Sequence, residues 1–181
     1  MAYIRLSDGV KKGFEQDMVA ALTTLGYYAM MDAYGKAVNP TSGWKHRTRN
    51  LHDSYASAVY VNGKLIDSSI RFVGGVLSRK TDHVTGKTGR ETVLDYLHSH
   101  RYGATNNEIV LVVIAAMYYA GILEAGDKNT GSRGPGAKYI VISPAREYID
   151  KNYWTAVYKV YDKYGIKDKP KAKVIKGESL K

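Results

Sequence analysis

Three short stretches of this sequence hold residue types that could do chemistry. Thr85-Gly-Lys-Thr-Gly89 contains the Gly-Lys-Thr core of a phosphate loop, whose backbone amides and lysine cradle phosphate oxygens. That loop also needs a glycine five residues before Gly86. Position 81 is Thr, and no apolar strand leads into the stretch. Nucleotide binding is therefore not expected. His98-Ser-His100 offers two imidazoles, but no carboxylate stands at helical spacing to complete a metal site, so both are read as solvated loop residues. His46, His52 and His83 stand alone in polar sequence and are read as surface residues. There is no Gly-x-Ser-x-Gly elbow for a serine nucleophile, and the scattered carboxylates form no acid–base pair. No catalytic residue, cofactor or metal ligand is nominated, and the chain is not expected to be an enzyme. The third stretch is basic. Lys45, His46, Arg47 and Arg49 beside Trp44 suit contact with phosphates or an acidic partner. The plain alternative is a solvated basic face.

These stretches must be held by a fold, and composition bounds what that fold can be. The chain has 181 residues, 44% of them hydrophobic, which suits one domain with a real core plus loops or a tail. Its 16 tyrosines far outnumber its 2 phenylalanines and 2 tryptophans. Tyrosine covers apolar area with a polar tip, so it suits half-buried surfaces and subunit contacts as well as wet core edges. The absence of cysteine excludes disulfides, thiolate catalysis and cysteine metal sites, and fits a reducing cytoplasm. The first residues lack a basic stretch followed by an apolar run, so no secretory signal is expected. The longest apolar run, 109–122, is too short and too rich in tyrosine for a membrane span. The net charge is +10, and residues 165–181 hold six lysines against two carboxylates, leaving a modest excess of +6 elsewhere.

The elements follow from periodicity. Ser7-Asp8 offers a helix cap, and Val10, Phe14, Met18, Leu22, Leu25 and Ala29 recur at steps of three and four. This predicts a helix over about 9–36, weakened at Gly13 and Gly26 and broken by Asn39-Pro40. A short helical turn is expected around 50–55. Next, 56–61, Asn62-Gly63 and 64–72 read as a β-hairpin, because Asn-Gly supplies the positive φ angles of a type I′ turn. Residues 74–105 look like a loop or arm excursion with a short helix near 91–98. The apolar run 108–114 predicts a buried strand. A short helix or turn over 115–125, a Gly-rich loop over 127–136 and a strand over 138–142 come next. Ser143-Pro144 opens a last helix, with Ser143 as its cap, that ends near Gly165. The expected fold class is α+β: one small antiparallel sheet covered by two long helices, residues 1–164 forming a single domain and 165–181 a basic flexible tail.

Two segments together resemble a known family. Thr48-Arg49-Asn50-Leu51-His52-Asp53-Ser54 is similar to the Thr-Gly-x-Leu-x-x-Ser signature of the phage tail-component family typified by the lambdoid head–tail joining protein. Thr48, Leu51 and Ser54 match in type, and Asn50 departs from the pattern. Tyr119, Ala120, Leu123, Glu124 and Gly126 resemble that family's Tyr-Ala-x-x-Val-Glu-x-Gly block. A Gly-rich loop with Arg133 follows, then a strand, then Pro144-Ala145 opening the last helix, in the family's order. Residues 74–105 are longer than the family's pattern. These motif residues also have structural readings. Thr48 or Asn50 can cap the short helix, Leu51 can anchor it, and Ser54 can satisfy the backbone where helix turns to strand. Tyr119 can pack against the sheet and Gly126 can permit a left-handed exit, while Glu124 can pair with Lys128 or Arg133.

The resemblance implies a ring-forming virion subunit at the head–tail neck, assembled in the host cytoplasm. Its partners would be itself, in roughly six or twelve copies, the portal or connector, and tail proteins, with possible DNA contact and no membrane. The candidate interface residues are Trp44, Lys45, Arg47, Thr48, Asn50, Leu51, Ser54, Tyr119, Glu124, Gly126, Arg133 and the tail lysines Lys169, Lys171 and Lys173. The alternative is a basic nucleic-acid-binding or DNA-packaging accessory protein.

Overall fold

The computed structural model describes residues 7–37, 50–74, 81–82, 84–103, 108–117 and 142–170. The expected 127–136 loop and the expected strand before Ile142 lie outside them. The chain is α+β. Helix α1 (Asp8–Ala37) and the turn α2 (Asn50–Asp53) come first. Strands β1 (Tyr55–Val61), β2 (Lys64–Leu65) and β3 (Arg71–Phe72) follow, then α3 (Gly89–Ser99), β4 (Ile109–Ala115) and α4 (Ser143–Lys163).

Helix α1 starts where the cap residue stands. The Val10 amide donates to Ser7 Oγ at 3.4 Å and the Lys11 amide to the Ser7 carbonyl at 3.0 Å. Its apolar stripe is inward from Met18 to Ala29, while Val10 lies at the exposed end. Gly26, which weakens a free helix, has a packing reason. A Cβ there would stand 2.8 Å from Ser57 Cβ and 2.6 Å from a Leu111 methyl, so α1 can lie on the sheet only because Gly26 lacks one. Helix α4 runs along α1, and Met18, Leu22, Leu25, Val157 and Val160 form a cluster with Val59 of the sheet. Its cap is Ile142 rather than Ser143, because the Ile142 carbonyl already accepts the Ala145 amide at 3.0 Å. The helix stops at Gly165, whose φ of +66° lets the Ile166 amide return to the Tyr161 carbonyl at 3.0 Å.

The sheet is built around β1. Along its whole length β1 pairs antiparallel with β4, from Tyr55↔Ala115 to Val61↔Ile109. Its other edge meets β2 and β3. Asn62 and Gly63, at φ 51° and 77°, make the expected turn. The returning strand differs from the expectation of one run over 64–72, because a 3₁₀ turn (Asp67–Ser69) interrupts it. Ser69 fills the gap left in the ladder. Its Oγ accepts the Val59 amide at 2.8 Å and donates to the Ile66 carbonyl at 2.6 Å. A side chain thus replaces the missing backbone partner of a buried strand.

All seven residues of β1 are buried. Tyr55, Ser57 and Val59 face α1 and α4, while Ala56, Ala58 and Tyr60 pack with Val93 and Leu97 of α3. Helix α3 therefore corrects the picture of 74–105 as a projecting arm. Its helical part is built into the second face of the sheet. Val93 and Leu97 are fully buried there, each contributing about 1.5–3 kcal/mol of transfer free energy. Thr88 and Glu91 form a reciprocal capping box: the Glu91 amide donates to Thr88 Oγ1 at 3.3 Å and the Thr88 amide to Glu91 Oε2 at 2.7 Å.

Candidate functional site

The motif residues that can be placed form a buried junction. Asn50 and Leu51 belong to α2, and Leu51 sits in a core cluster with Ala29, Met30, Tyr55, Met117 and Ala145. Ser54 turns the chain into β1. Its Oγ donates to the Leu51 carbonyl at 2.8 Å, and its carbonyl accepts the Ala116 amide at 3.3 Å. Helix α3 presses on the same point, since a Cβ at Gly89 would stand 2.0 Å from the Asn50 carbonyl oxygen. Asn50, Leu51 and Ser54 are 0%, 5% and 0% exposed, so as interface candidates they are corrected, while the expected structural jobs of Leu51 as an anchor and Ser54 as the backbone's partner at the turn into β1 hold. Lys169 belongs to the expected flexible tail but folds back on α4. Its Nζ lies 2.8 Å from Asp162 Oδ1 and 4.6 Å above the Tyr158 ring. Trp44, Lys45, Arg47, Thr48, Tyr119, Glu124, Gly126, Arg133, Lys171 and Lys173 lie outside the described residues.

The stretch that resembled a phosphate loop is closed on itself. Asp82 Oδ1 accepts the Val84 and Thr85 amides at 2.9 and 3.1 Å, Lys87 pairs with Asp95, and the Glu91 carboxylate covers the Thr88 amide where a phosphate would have to sit. The Thr88 bond holds the Glu91 carboxyl below its ordinary value.

A different constellation gathers at the hairpin tip. Asn62, Gly63, Lys64 and Leu65 face His98, His100 and Arg101 from the end of α3 across an open cleft of about 360 Å³. His98 therefore ends a helix instead of lying in a loop, and its Nε2 stands 3.6 Å from Asp67 Oδ1. His100 stacks on Tyr96 at 3.9 Å and lies parallel to Tyr102 at 6.2 Å. Its Nδ1 is 2.7 Å from the Tyr96 carbonyl oxygen, which can only accept, so Nδ1 is the donor. Tyr96 Oη and Tyr102 Oη share a hydrogen bond of 2.5 Å. Beneath them the buried Tyr60 Oη donates to the Leu97 carbonyl at 2.6 Å. Burial, then neighbouring Tyr96, pushes the Tyr60 phenol up to about 12, so it remains a donor throughout the neutral range. A second groove, of about 500 Å³ between α1 and the 3₁₀ turn, carries Glu15 and Arg71 and so has charges of both signs.

His52 is also more than a surface residue. Half-buried, its Nδ1 is 3.2 Å from Tyr34 Oη. Among the described residues no group of three His, Asp or Glu side chains could hold a metal, and no helix is long and apolar enough to cross a membrane. The class of protein is defined by its architecture: an α+β chain with helices on both faces of a small antiparallel sheet. Set against protein-family models, curated proteins and solved structures, the chain matches none.

The cleft residues were missed in the sequence because Lys64 and His98 are remote along the chain. Only the packing of α3 on β1 brings them together. The one local signal was the basic and aromatic run from His98 to Tyr102.

Proposed function

We propose that this chain is a structural virion protein of a tailed phage, a ring-forming subunit of the neck that joins the portal or connector to the tail. One observation carries the reading beyond the motif order. Leu51 of the first motif block and Ala145 of the last meet in one core cluster, so blocks far apart in sequence act as one structural unit. Their jobs are packing and capping, which suits a subunit that works by assembly rather than by turnover.

Assembly into a closed ring needs a head-to-tail contact, with different faces on the two sides of the subunit. The excursion and the lysine-rich end were the natural docking elements. With α3 committed to the core, the docking role falls to 171–181 and to the parts of 74–105 outside the helix. Electron microscopy and analytical ultracentrifugation of the purified protein test the reading. Closed rings of uniform diameter are expected, and a chain that remains a monomer alone and is missing from particles overturns it. Deleting 165–181 is expected to lower incorporation into particles, and unchanged incorporation removes the tail from this role.

A further inference from the structure

We infer that the cleft at the hairpin tip is a phosphodiester-binding site that grips the backbone of duplex DNA without reading its sequence. Among the described residues the lining carries two fixed cations, Lys64 and Arg101, and two imidazoles, His98 and His100; the Asp67 carboxylate stands beside it, 3.6 Å from His98 Nε2, which leaves Lys64 and Arg101 as the groups for a phosphate. All four side chains are exposed, yet they stand on rigid supports: a tight Asn-Gly turn of the central hairpin and the end of a helix packed on the sheet. The backbone positions of these cations are thus set before a phosphate arrives, and binding has to order only their side chains. The cleft is open to solvent, which suits a passing polyanion better than an enclosed small molecule.

Helix ends set a counter-argument. The C-terminus of α3 carries partial negative charge, which repels phosphate and attracts basic side chains for its own sake. Here two of the last four carbonyls are already occupied. Tyr96 accepts from His100 Nδ1 and Ser99 Oγ, and Leu97 accepts from Tyr60 Oη. Lys64 comes from the hairpin and belongs to no helix end. The aromatic rings argue for duplex over single strand. His100 lies between Tyr96 and Tyr102, so the most exposed of the three rings already has its faces turned to neighbours and is a poor platform for an unpaired base.

The inference does not depend on ring formation and is tested separately from it. The full-length protein is titrated into a short labelled duplex of arbitrary sequence, and into a single strand of equal length, across a salt series. Fluorescence anisotropy gives the affinity and its salt slope. Removing two phosphate contacts by Lys64→Gln with Arg101→Gln should weaken duplex binding by about tenfold or more at low salt and lower the log–log slope by about two. Lys12→Gln with Lys159→Gln, exposed lysines that do not line the cleft, should leave the slope near that of the unaltered chain. Melting curves of each variant run beside the titrations. A cleft variant that binds duplex like the parent overturns the inference, and so does one that loses only melting temperature, since its cations then serve the helix end. Tighter binding of polyglutamate than of duplex, lost in the same cleft variant, also overturns it in favour of an acidic protein partner.

Discussion

At the scale of single residues, the same substitution should do opposite things at two serines of one sheet. Ser69 Oγ accepts the Val59 amide in a buried gap of the ladder. Ser69→Ala strands that amide and should cost about 1–3 kcal/mol. Ser57 Oγ is buried against Gly26 with no hydrogen-bond partner among the described residues. Ser57→Ala removes a polar group that gains nothing from burial and should be neutral or stabilising by up to about 1 kcal/mol. Urea denaturation of both variants checks the pair, and equal losses would refute the assignment of roles. Gly89 is the sharpest steric point. Alanine normally favours a helix over glycine, by about 1 kcal/mol. Here its Cβ meets the Asn50 carbonyl oxygen at 2.0 Å, a backbone atom that cannot swing aside. Gly89→Ala is therefore expected to lose about 2–4 kcal/mol, read from the same denaturation curves, because α3 must lift off α2.

At the scale of elements, the two long helices are fastened at one end by a clasp. Asp17 of α1 accepts from Lys163 Nζ at 2.5 Å and from Tyr164 Oη at 2.7 Å, beside Phe14, whose ring meets Tyr161 and Tyr164 edge-on. The Lys163 bond, then the Tyr164 bond, holds the Asp17 carboxyl below its ordinary value, and the Asp17 bond raises both partners. The sign of the pH effect follows. A carboxyl lowered in the folded chain contributes fully above its unfolded value, near 4, and loses that contribution as pH falls through the folded one. The raised Lys163 loses its share only as pH climbs through its own folded value, above the ordinary lysine range. Asp17→Asn should lower the melting temperature at pH 7, and the gap from the parent should close as the solution is acidified through and below the ordinary aspartate range. A gap that stays constant across that range would remove charge from the account of the clasp. The sheet teaches a related lesson about elements. An unbroken strand over 64–72 was the natural reading, because the Asn62-Gly63 turn predicts a returning partner for 56–61. The polar run Asp67–Ser69 interrupts that strand as a 3₁₀ turn, and a serine hydroxyl keeps the ladder satisfied across it.

At the scale of the whole molecule, the sheet lies between α1 with α4 on one face and α3 on the other. Burial on both faces explains why β1 reads Tyr-Ala-Ser-Ala-Val-Tyr-Val, with neither face polar. In the proposed neck assembly, the purified chain should form rings with the hairpin-tip cleft accessible to duplex, and phosphate contacts should multiply with copy number. A ring that binds duplex with no greater salt slope than the isolated subunit would place the cleft away from the lumen. What local sequence settled by itself was whatever depends on neighbours a few residues apart. The Ser7 cap, the stripe from Phe14 to Ala29, the Asn62-Gly63 turn, the extended run of β4 and the stop at Gly165 are all such cases, although β4, expected to be a buried strand, is only partly buried apart from Ile114. The Thr88–Glu91 capping box was equally legible and went unread, masked by its likeness to a phosphate loop. What tertiary structure alone decided was whatever depends on residues remote in the chain meeting in space. Lys169 folded onto Tyr158, and the excursion turned inward as α3. Lys64, His98, His100 and Arg101 converged on one cleft. The physical reason is that local propensities act over one or two turns. Contacts between remote segments are chosen by burial of apolar area, which Val93 and Leu97 announce as a stripe without naming the face it will cover.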